Sequence, residues 1–172
     1  MKIYSFPQKI DIKIKALAIY QIAGGVYGLY LTLELLSGLS QIPTFFIFLF
    51  FTAFSLYCYS IICGVLIFAK KDRHHRYSLI NQYLQLISFT LLSYGFEYAS
   101  GIYLDVGINF TDEIIFKFKT GLPSWQIMYN TNNNSMEVYL NLAALFVIIF
   151  INKIKRKSNE AIVDNTLEQF SN

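Results

Sequence analysis

Four stretches of the chain are long and apolar enough to cross a lipid bilayer as helices. The hydrocarbon core of a bilayer takes about 20 helical residues to cross, so stretches of that length can be counted directly. They cover residues 15–36, 43–69, 77–98 and 136–152. The fourth is short, but the basic residues after it can extend their side chains to the headgroups. The pattern predicts an all-α membrane protein built as a bundle of four transmembrane helices.

The segment between the third and fourth spans, residues 105–135, has a different pattern. Apolar residues alternate with other residues in Ile114–Lys119, and a second short apolar stretch follows in Trp125–Tyr129. Such runs are typical of strands, and a glycine and a proline between them favour a turn. We therefore predict a small extracytoplasmic β-hairpin over the outer end of the bundle.

Basic residues gather at one set of span ends, and this distribution predicts the orientation. Three clusters lie on one side of the predicted spans: Lys2, Lys9, Lys13 and Lys15, then Lys70, Lys71, Arg73 and Arg76, then Lys153, Lys155, Arg156 and Lys157. The other side has only Lys117 and Lys119. Because loops rich in Lys and Arg stay in the cytoplasm, we predict a multi-pass protein of the cell (inner) membrane with both termini cytoplasmic. Residues 1–157 form one membrane domain, and 158–172 a cytoplasmic tail.

Composition agrees with a membrane protein and argues against a nucleic-acid-binding one. The mean hydropathy is +0.43 and 15% of the residues are charged, against roughly 25% in a typical soluble domain. The pI of 8.8 does not indicate a nucleic-acid partner, because the basic residues lie where membrane orientation places them. The expected partner is the lipid bilayer, and direct nucleic-acid binding is not expected.

Small residues in the first span predict a close helix contact. Gly24 and Gly28 have the small-xxx-small spacing that lets two helices approach in lipid, and Gly25 widens this stripe. The contact is either internal packing or an oligomer interface. We predict that the protein is a homo-oligomer or has a protein partner.

Several polar residues lie inside the predicted spans. They are Gln21, Asn81, Gln82, Gln85, Ser88 and Asn141. An unpaired amide in hydrocarbon costs several kcal/mol, so these side chains need partners or water. Asn81, Gln85 and Ser88 share one face of the predicted third helix. That face either forms hydrogen bonds to other spans, with Gln21 and Asn141 as candidate partners, or lines a polar cavity or conduction path.

Charged residues lie at the ends of the predicted spans, where they can contact the membrane interface. Glu34, Glu97 and Glu137 lie at the outer ends, where they are carboxylates at the membrane interface with Lys117 nearby or, alternatively, a cation-attracting or metal site. Lys70, Lys71, Arg73 and Arg76 form a cytoplasmic basic loop that can touch anionic headgroups. The adjacent His74 and His75 have no third ligand at metal-binding spacing.

The sequence contains no recognisable catalytic motif or phosphate-binding loop. We therefore predict no enzyme activity, no cofactor and no metal. The favoured function is a non-enzymatic accessory or regulatory membrane module. The alternative is an oligomeric pore or small transporter that uses the polar face of the third span. A membrane enzyme ranks third.

In length, four-span layout and richness in Ile, Phe, Tyr, Asn and Lys, the chain resembles small uncharacterised membrane proteins of low-GC bacteria. More narrowly, it looks like the four-span accessory proteins encoded beside RNA-targeting type VI-B CRISPR effectors. That resemblance implies regulation of RNA interference and a role in antiviral defence. It rests on length and topology, so no functional residue is transferred.

Overall fold

The structure is a computed structural model that describes residues 8–38, 44–69, 74–128 and 134–171. Within these ranges it has helices α1 (Gln8–Ser37), α2 (Thr44–Phe68), α3 (His74–Leu84) and α4 (Leu142–Ser171). It has strands β1 (Ile87–Leu91), β2 (Tyr94–Ala99), β3 (Tyr103–Asn109), β4 (Ile115–Gly121), β5 (Ser124–Met128) and β6 (Met136–Asn141). The strands form one antiparallel sheet in the order β4-β3-β6-β1-β2-β5.

The predicted all-α bundle of four transmembrane helices is therefore wrong. In the described part of the chain, two helices contain segments long and apolar enough to span a membrane, Ile12–Ser37 in α1 and Phe46–Phe68 in α2. The predicted third span, 77–98, divides into most of α3, then β1 and most of β2. The predicted fourth span, 136–152, divides into β6 and the first part of α4.

Residue alternation explains why these two apolar stretches become strands. In β1, Ser88 and Thr90 alternate with three large apolar residues, and β6 alternates in the same way. A strand sends successive side chains to opposite faces, so this order separates the polar and apolar groups completely. The β1–β2 turn begins at Leu92, which has a φ of 54°, so the chain reverses direction where a helix would have continued.

The predicted β-hairpin is also only partly correct. Its two strands exist as β4 and β5, but they do not pair with each other. β4 pairs with β3, and β5 pairs with β2, so they form opposite edges of the six-stranded sheet. The sequence pattern located the strands, while their partners come from distant parts of the chain.

The sheet is strongly curled. Edge strands of a flat six-stranded sheet lie about 24 Å apart, at about 4.8 Å per step. Here two residues connect β4 to β5, which limits the Cα atoms of Gly121 and Ser124 to about 11 Å. The Lys119 Nζ atom on β4 also lies 3.8 Å from Glu97 Oε2 on β2. The two edges therefore come close together, and the sheet has an inner and an outer face.

The two faces of the curled sheet differ in polarity. The outer face carries large apolar side chains from five of the six strands, and on β4 Phe116 and Phe118 are 68% and 73% exposed. The inner face consists mainly of polar and charged residues. We call these surfaces the outer sheet face and the inner sheet face. The outer sheet face contains Ile87, Phe89, Leu91, Tyr94, Phe96, Leu104, Val106, Ile108, Phe116, Phe118, Met136, Val138 and Leu140.

The helices pack along one end and one side of the sheet. Leu17, Ala18, Ile67 and Ile151 form an apolar core that joins α1, α2 and the first part of α4. On the sheet side, the Trp125 ring of β5 meets a phenylalanine ring of α2 with centroids 5.4 Å apart. The α1–α2 hairpin thus contacts both the other helices and the sheet.

Candidate functional site

A cluster of neutral polar side chains lies where α1, α2, α3 and the β2–β3 turn meet. We call it the polar core; its members are Gln21, Ser60, Ser78, Asn81, Gln85 and Ser100, and each is at most 3% exposed. The Ser60 hydroxyl lies 3.0 Å from the Gln21 carbonyl oxygen and 3.0 Å from the Ser100 hydroxyl. Asn81 Nδ2 donates to Ser60 Oγ at 3.2 Å, and Ser78 donates to Gln21 Oε1 at 3.2 Å.

Gln85 fastens the β2–β3 turn to the helices. Its Nε2 donates to Ser100 Oγ at 2.8 Å and to the Asn81 carbonyl at 3.0 Å. Its Oε1 accepts from the Ser100 backbone N–H at 2.9 Å. Because these groups are buried, loss of the amide would leave several of them unsatisfied. The turn can approach α1 only because residue 24 is glycine, where an added Cβ would lie 1.6 Å from the Ser100 carbonyl oxygen.

The inner sheet face, in contrast, is held by charged pairs. Lys117 forms an ion pair with Glu137, which also accepts hydrogen bonds from Asn109 and from the Tyr139 hydroxyl, each at 2.7 Å. Lys119 pairs with Glu97 and lies 3.9 Å from the centroid of the Tyr139 ring. The charges therefore neutralise one another across several strands.

Burial and neighbouring charges shift the pKa values of two carboxyl groups on this face. Burial, reinforced by Glu97 and opposed by Lys119, raises the pKa of Asp105 to about 6. At Glu137 burial also acts to raise the pKa, but hydrogen bonds from Lys117, Tyr139 and Asn109 outweigh it, and the pKa is lowered. Asp105 is thus the inner-face acid whose protonation changes near neutral pH.

A small cavity lies against the inner sheet face. Its volume is about 10 Å³, and its lining includes Ser88, Glu97, Lys119, Gln126 and Tyr139. This is room for about one water molecule. The Ser88 hydroxyl is buried and has no hydrogen-bond partner among the described residues, so a water molecule there would have a group to bind.

The glycines predicted to mediate a helix contact all lie in internal contacts. Gly24 faces the Ser100 backbone, as described above. A Cβ on Gly25 would lie 2.8 Å from the Tyr57 carbonyl oxygen of α2, and one on Gly28 would lie 2.0 Å from the Tyr57 ring. The geometry corresponds to internal packing, the first of the two alternatives that the sequence left open.

The predicted intramembrane polar residues separate into three places. Gln21, Asn81 and Gln85 meet in the polar core, whereas Ser88 lies on the inner sheet face. Gln82 is fully buried, and neither polar atom of its amide has a described hydrogen-bond partner. Asn141 does not bond to Asn81 or Gln85 in the described structure; its Oδ1 accepts from the Ala144 N–H at 3.1 Å and caps the start of α4.

The charged residues that were predicted to lie at the span ends also occupy different places in the structure. Glu97 and Glu137 lie on the inner sheet face with lysine partners, while Glu34 is exposed near the end of α1. Lys70, Lys71 and Arg73 lie outside the described residues, and Arg76 is exposed on α3. No group of three or more His, Cys, Asp or Glu side chains in the described ranges could hold a metal ion.

Sequence reasoning missed important members of both clusters. Ser60, Ser78 and Ser100 were not identified, because small hydroxyl residues are common in apolar helices and do not reveal their partners. Asp105 was placed in an outer loop, although it lies on β3 opposite Lys119 and Asn141. The one available signal was the period-2 alternation of the strands, which puts the acids and lysines on the same face.

Comparison of the chain with protein-family models, with curated proteins and with solved structures found no match in any of the three. The fold itself defines a class, a hairpin of two long apolar helices joined to a curled antiparallel sheet. The predicted role in antiviral defence rested on a four-helix layout that the structure does not have. None of the three comparisons bears on that role.

Proposed function

We propose that this chain is a multi-pass membrane protein that acts by binding other molecules and not by catalysis. The α1–α2 hairpin crosses the bilayer, and the outer sheet face contacts lipid in the outer leaflet. Both chain termini are on the cytoplasmic side. The observation that carries the proposal is the outer sheet face, because five strands with exposed large apolar side chains need an apolar environment.

The charge distribution supports this orientation. The core residues Leu17, Ile67 and Ile151 bring the first part of α1, the end of α2 and the first part of α4 to the same level. Lys15 and Lys153 flank this core in sequence. Basic residues therefore gather at one end of the molecule, as is typical of a cytoplasmic face.

The polar groups support a binding function because they interact with one another. Lys117, Lys119 and Gln85 each contact a described partner. Buried networks of this kind give a rigid scaffold. Ligands or partner proteins are then expected to bind on the outside of the scaffold.

Cysteine labelling tests the proposed topology. In a Cys58→Ser, Cys63→Ser background, Asp112→Cys in the β3–β4 connection should react with a membrane-impermeant maleimide added to intact cells or spheroplasts. Arg76→Cys at the start of α3 should react only after the membrane is permeabilised. Both side chains are exposed, so reactivity reports the side of the membrane. The opposite pattern, or a protein that stays in the soluble fraction, would refute the proposal.

An oligomeric pore is the second candidate, and one observation favours it. The amide of Gln82, the Ser88 hydroxyl and Asp105 Oδ1 are buried polar atoms without a described hydrogen-bond partner. Such atoms suit a water-filled path. The protein reconstituted in liposomes should then conduct ions, and Gln82→Leu should reduce the flux while Tyr83→Phe, at its exposed neighbour, should not. Liposomes without any flux would exclude the pore.

A further inference from the structure

Two adjoining cavities lie along one side of α1. The first, of about 270 Å³, is lined by α1 residues including Tyr20, Gly24 and Tyr27. The second, of about 570 Å³, is lined by α1 residues including Leu31 and Glu34. Both are bounded on the sheet side by Pro123 of the β4–β5 turn. The two cavities thus form one groove, which we call the α1 groove.

The α1 groove follows a single stripe of the helix. Its α1 residues are Tyr20, Ala23, Gly24, Tyr27, Leu31, Glu34, Leu35 and Gly38. Apart from the adjacent pairs Ala23/Gly24 and Glu34/Leu35, successive residues are three or four positions apart, which keeps them on one side of a helix. From Tyr20 to Gly38 the helix rises by about 27 Å at 1.5 Å per residue. The groove is therefore long and narrow, which suits an extended chain.

The chemistry of the groove differs between its two ends. Nearly all of the lining near Gly24 is apolar, and this end is bounded by Tyr20, Gly101 and Ile102. Near Gly38 the lining includes Glu34 and Ser124. Glu34 is the only charged side chain among the described lining residues. A ligand that fits should have a long apolar part and a positively charged group at one end.

The depth of the α1 groove in the membrane fits a lipid ligand. Gly24 is at the centre of the candidate span Ile12–Ser37. Ten residues separate it from Glu34, a rise of about 15 Å, which is half of the roughly 30 Å hydrocarbon core. The Glu34 carboxylate therefore lies at the level of the outer headgroups, while the apolar end of the groove reaches the bilayer centre.

We propose that the α1 groove binds one glycerophospholipid of the outer leaflet, with an acyl chain along α1 and a primary amine of the headgroup at Glu34. This inference rests on the membrane location given above as the proposed function. A partner helix fits the groove less well, because Gly24, Gly25 and Gly28, the small residues that would admit it, are already in internal contacts.

Trp125 provides a built-in reporter for this lipid. It is the single tryptophan of the chain, and it lines the groove near Glu34. Brominated acyl chains quench tryptophan fluorescence on contact. The purified full-length protein should be reconstituted in phosphatidylcholine vesicles containing increasing fractions of brominated phosphatidylethanolamine, and separately of brominated phosphatidylcholine.

Binding of the lipid at a specific site predicts that the quenching of Trp125 fluorescence saturates. Quenching by the brominated phosphatidylethanolamine should saturate at a low mole fraction, whereas quenching by the phosphatidylcholine should rise in proportion to its fraction. The apparent preference should be roughly fivefold, the effect of one exposed ion pair. Glu34→Gln should remove this preference. Ala23→Phe, which fills the apolar part of the groove, should remove the saturating component.

Leu33→Phe is the matched control for Ala23→Phe. Leu33 is 54% exposed and lines neither cavity, so this variant should bind like the unmodified protein. Proportional quenching by both lipids would mean that only bulk lipid touches Trp125, and it would refute the site. Saturation that Ala23→Phe does not alter would also refute it, because the lipid that quenches Trp125 would then be bound outside the α1 groove.

Vesicle flotation separates failure of this inference from failure of the proposed function. A protein that floats with the vesicles but shows only proportional quenching contradicts the lipid site alone. A protein that neither floats nor is quenched by any brominated lipid contradicts the membrane location, and with it both proposals.

Discussion

The polar core and the inner sheet face are both rich in polar side chains, but they are stabilised differently. The polar core consists of neutral amides and hydroxyls and lies near the middle of the α1–α2 hairpin. The inner sheet face uses ion pairs between lysines and glutamates. Removal of a charge from water costs far more than removal of an amide, and the cost is greatest at the bilayer centre. With the α1–α2 hairpin across the bilayer, as proposed above, depth in the membrane decides which polar groups a region can contain.

The largest expected effect comes from Gly24→Ala, which breaks the contact that creates the polar core. The new Cβ would overlap the Ser100 carbonyl oxygen, and backbone atoms cannot move aside cheaply. We expect a loss of about 3 kcal/mol or more in the free energy of unfolding. Thermal unfolding in mild detergent measures it. Gly38→Ala, whose Cβ meets no atom closer than 3.6 Å, should change stability little, and equal losses in the two variants would contradict the close contact.

Gln85→Leu tests the hydrogen bonds of the polar core without a change in backbone packing. The variant leaves the Ser100 N–H and hydroxyl without their amide partner, so we expect a loss of about 2–3 kcal/mol in the free energy of unfolding. Gln126→Leu on the exposed edge of β5 is the control. If Gln85→Leu were as stable as that control, the polar core would contribute nothing to stability.

Asp105→Asn should reveal, through its pH dependence, how much the charge of Asp105 lowers the stability of the inner sheet face. The pKa of Asp105 is about 6 in the folded protein, above its ordinary value of 3.8. The folded state thus keeps its proton longer than the unfolded state, so stability is full below about pH 4 and falls as pH rises through 6. Unfolding measured from pH 3.5 to 7.5 should show this fall.

The Asp105→Asn variant should lack the fall and be more stable than the unmodified protein at pH 7. Asp112→Asn, in the exposed β3–β4 connection, should retain the original pH profile. If Asp105→Asn leaves the profile unchanged, the pH dependence arises from another group, and Asp105 is not a buried acid.

The smallest expected effect is a gain in stability at the β1–β2 turn. This turn belongs to neither polar region, so it gives a baseline for the stability changes expected in the polar core and the inner sheet face. Leu92 has a φ of 54°, a left-handed conformation that leucine adopts at a cost. Leu92→Asn should raise the free energy of unfolding by about 0.5–1 kcal/mol, because asparagine tolerates this conformation. Leu122→Asn, at another exposed turn without positive φ, should give no gain. A loss of stability in Leu92→Asn would mean that the leucine side chain contributes contacts that outweigh the strain.

Hydropathy predicted the two long apolar helices well but misassigned the two mixed segments. Residues 44–68 are so uniformly apolar that a helix is the natural result in lipid, because a helix satisfies its own backbone hydrogen bonds. The segments 87–91 and 136–141 lie within longer apolar windows, but the alternation of Ser88 and Thr90, or of Glu137 and Tyr139, with large apolar residues favours a strand. Counting apolar residues in long windows hides a period of two.

The sequence predicted several residues of the candidate site but not the contacts between them. Gln21, Asn81 and Gln85 were identified as a set because buried amides need partners. Their main partners, Ser60 and Ser100, are distant in sequence, and nothing local in the chain connects them. The polar outer loop contained Asp105 and both lysines, yet their meeting with Glu97 and Glu137 depends on the pairing of β3 with β6 and on the curl of the sheet.

The sequence by itself determined which segments are apolar, where the basic residues gather and which side chains cannot remain unpaired, because these properties are local and additive along the chain. Only the tertiary structure decided that two predicted spans contain strands and that β4 and β5 lie at opposite edges of one sheet. It also decided that the glycines of the first span pack against the β2–β3 turn and α2 of the same molecule. Strand pairing and close packing depend on residues far apart in sequence, whose contacts form only when the whole chain folds.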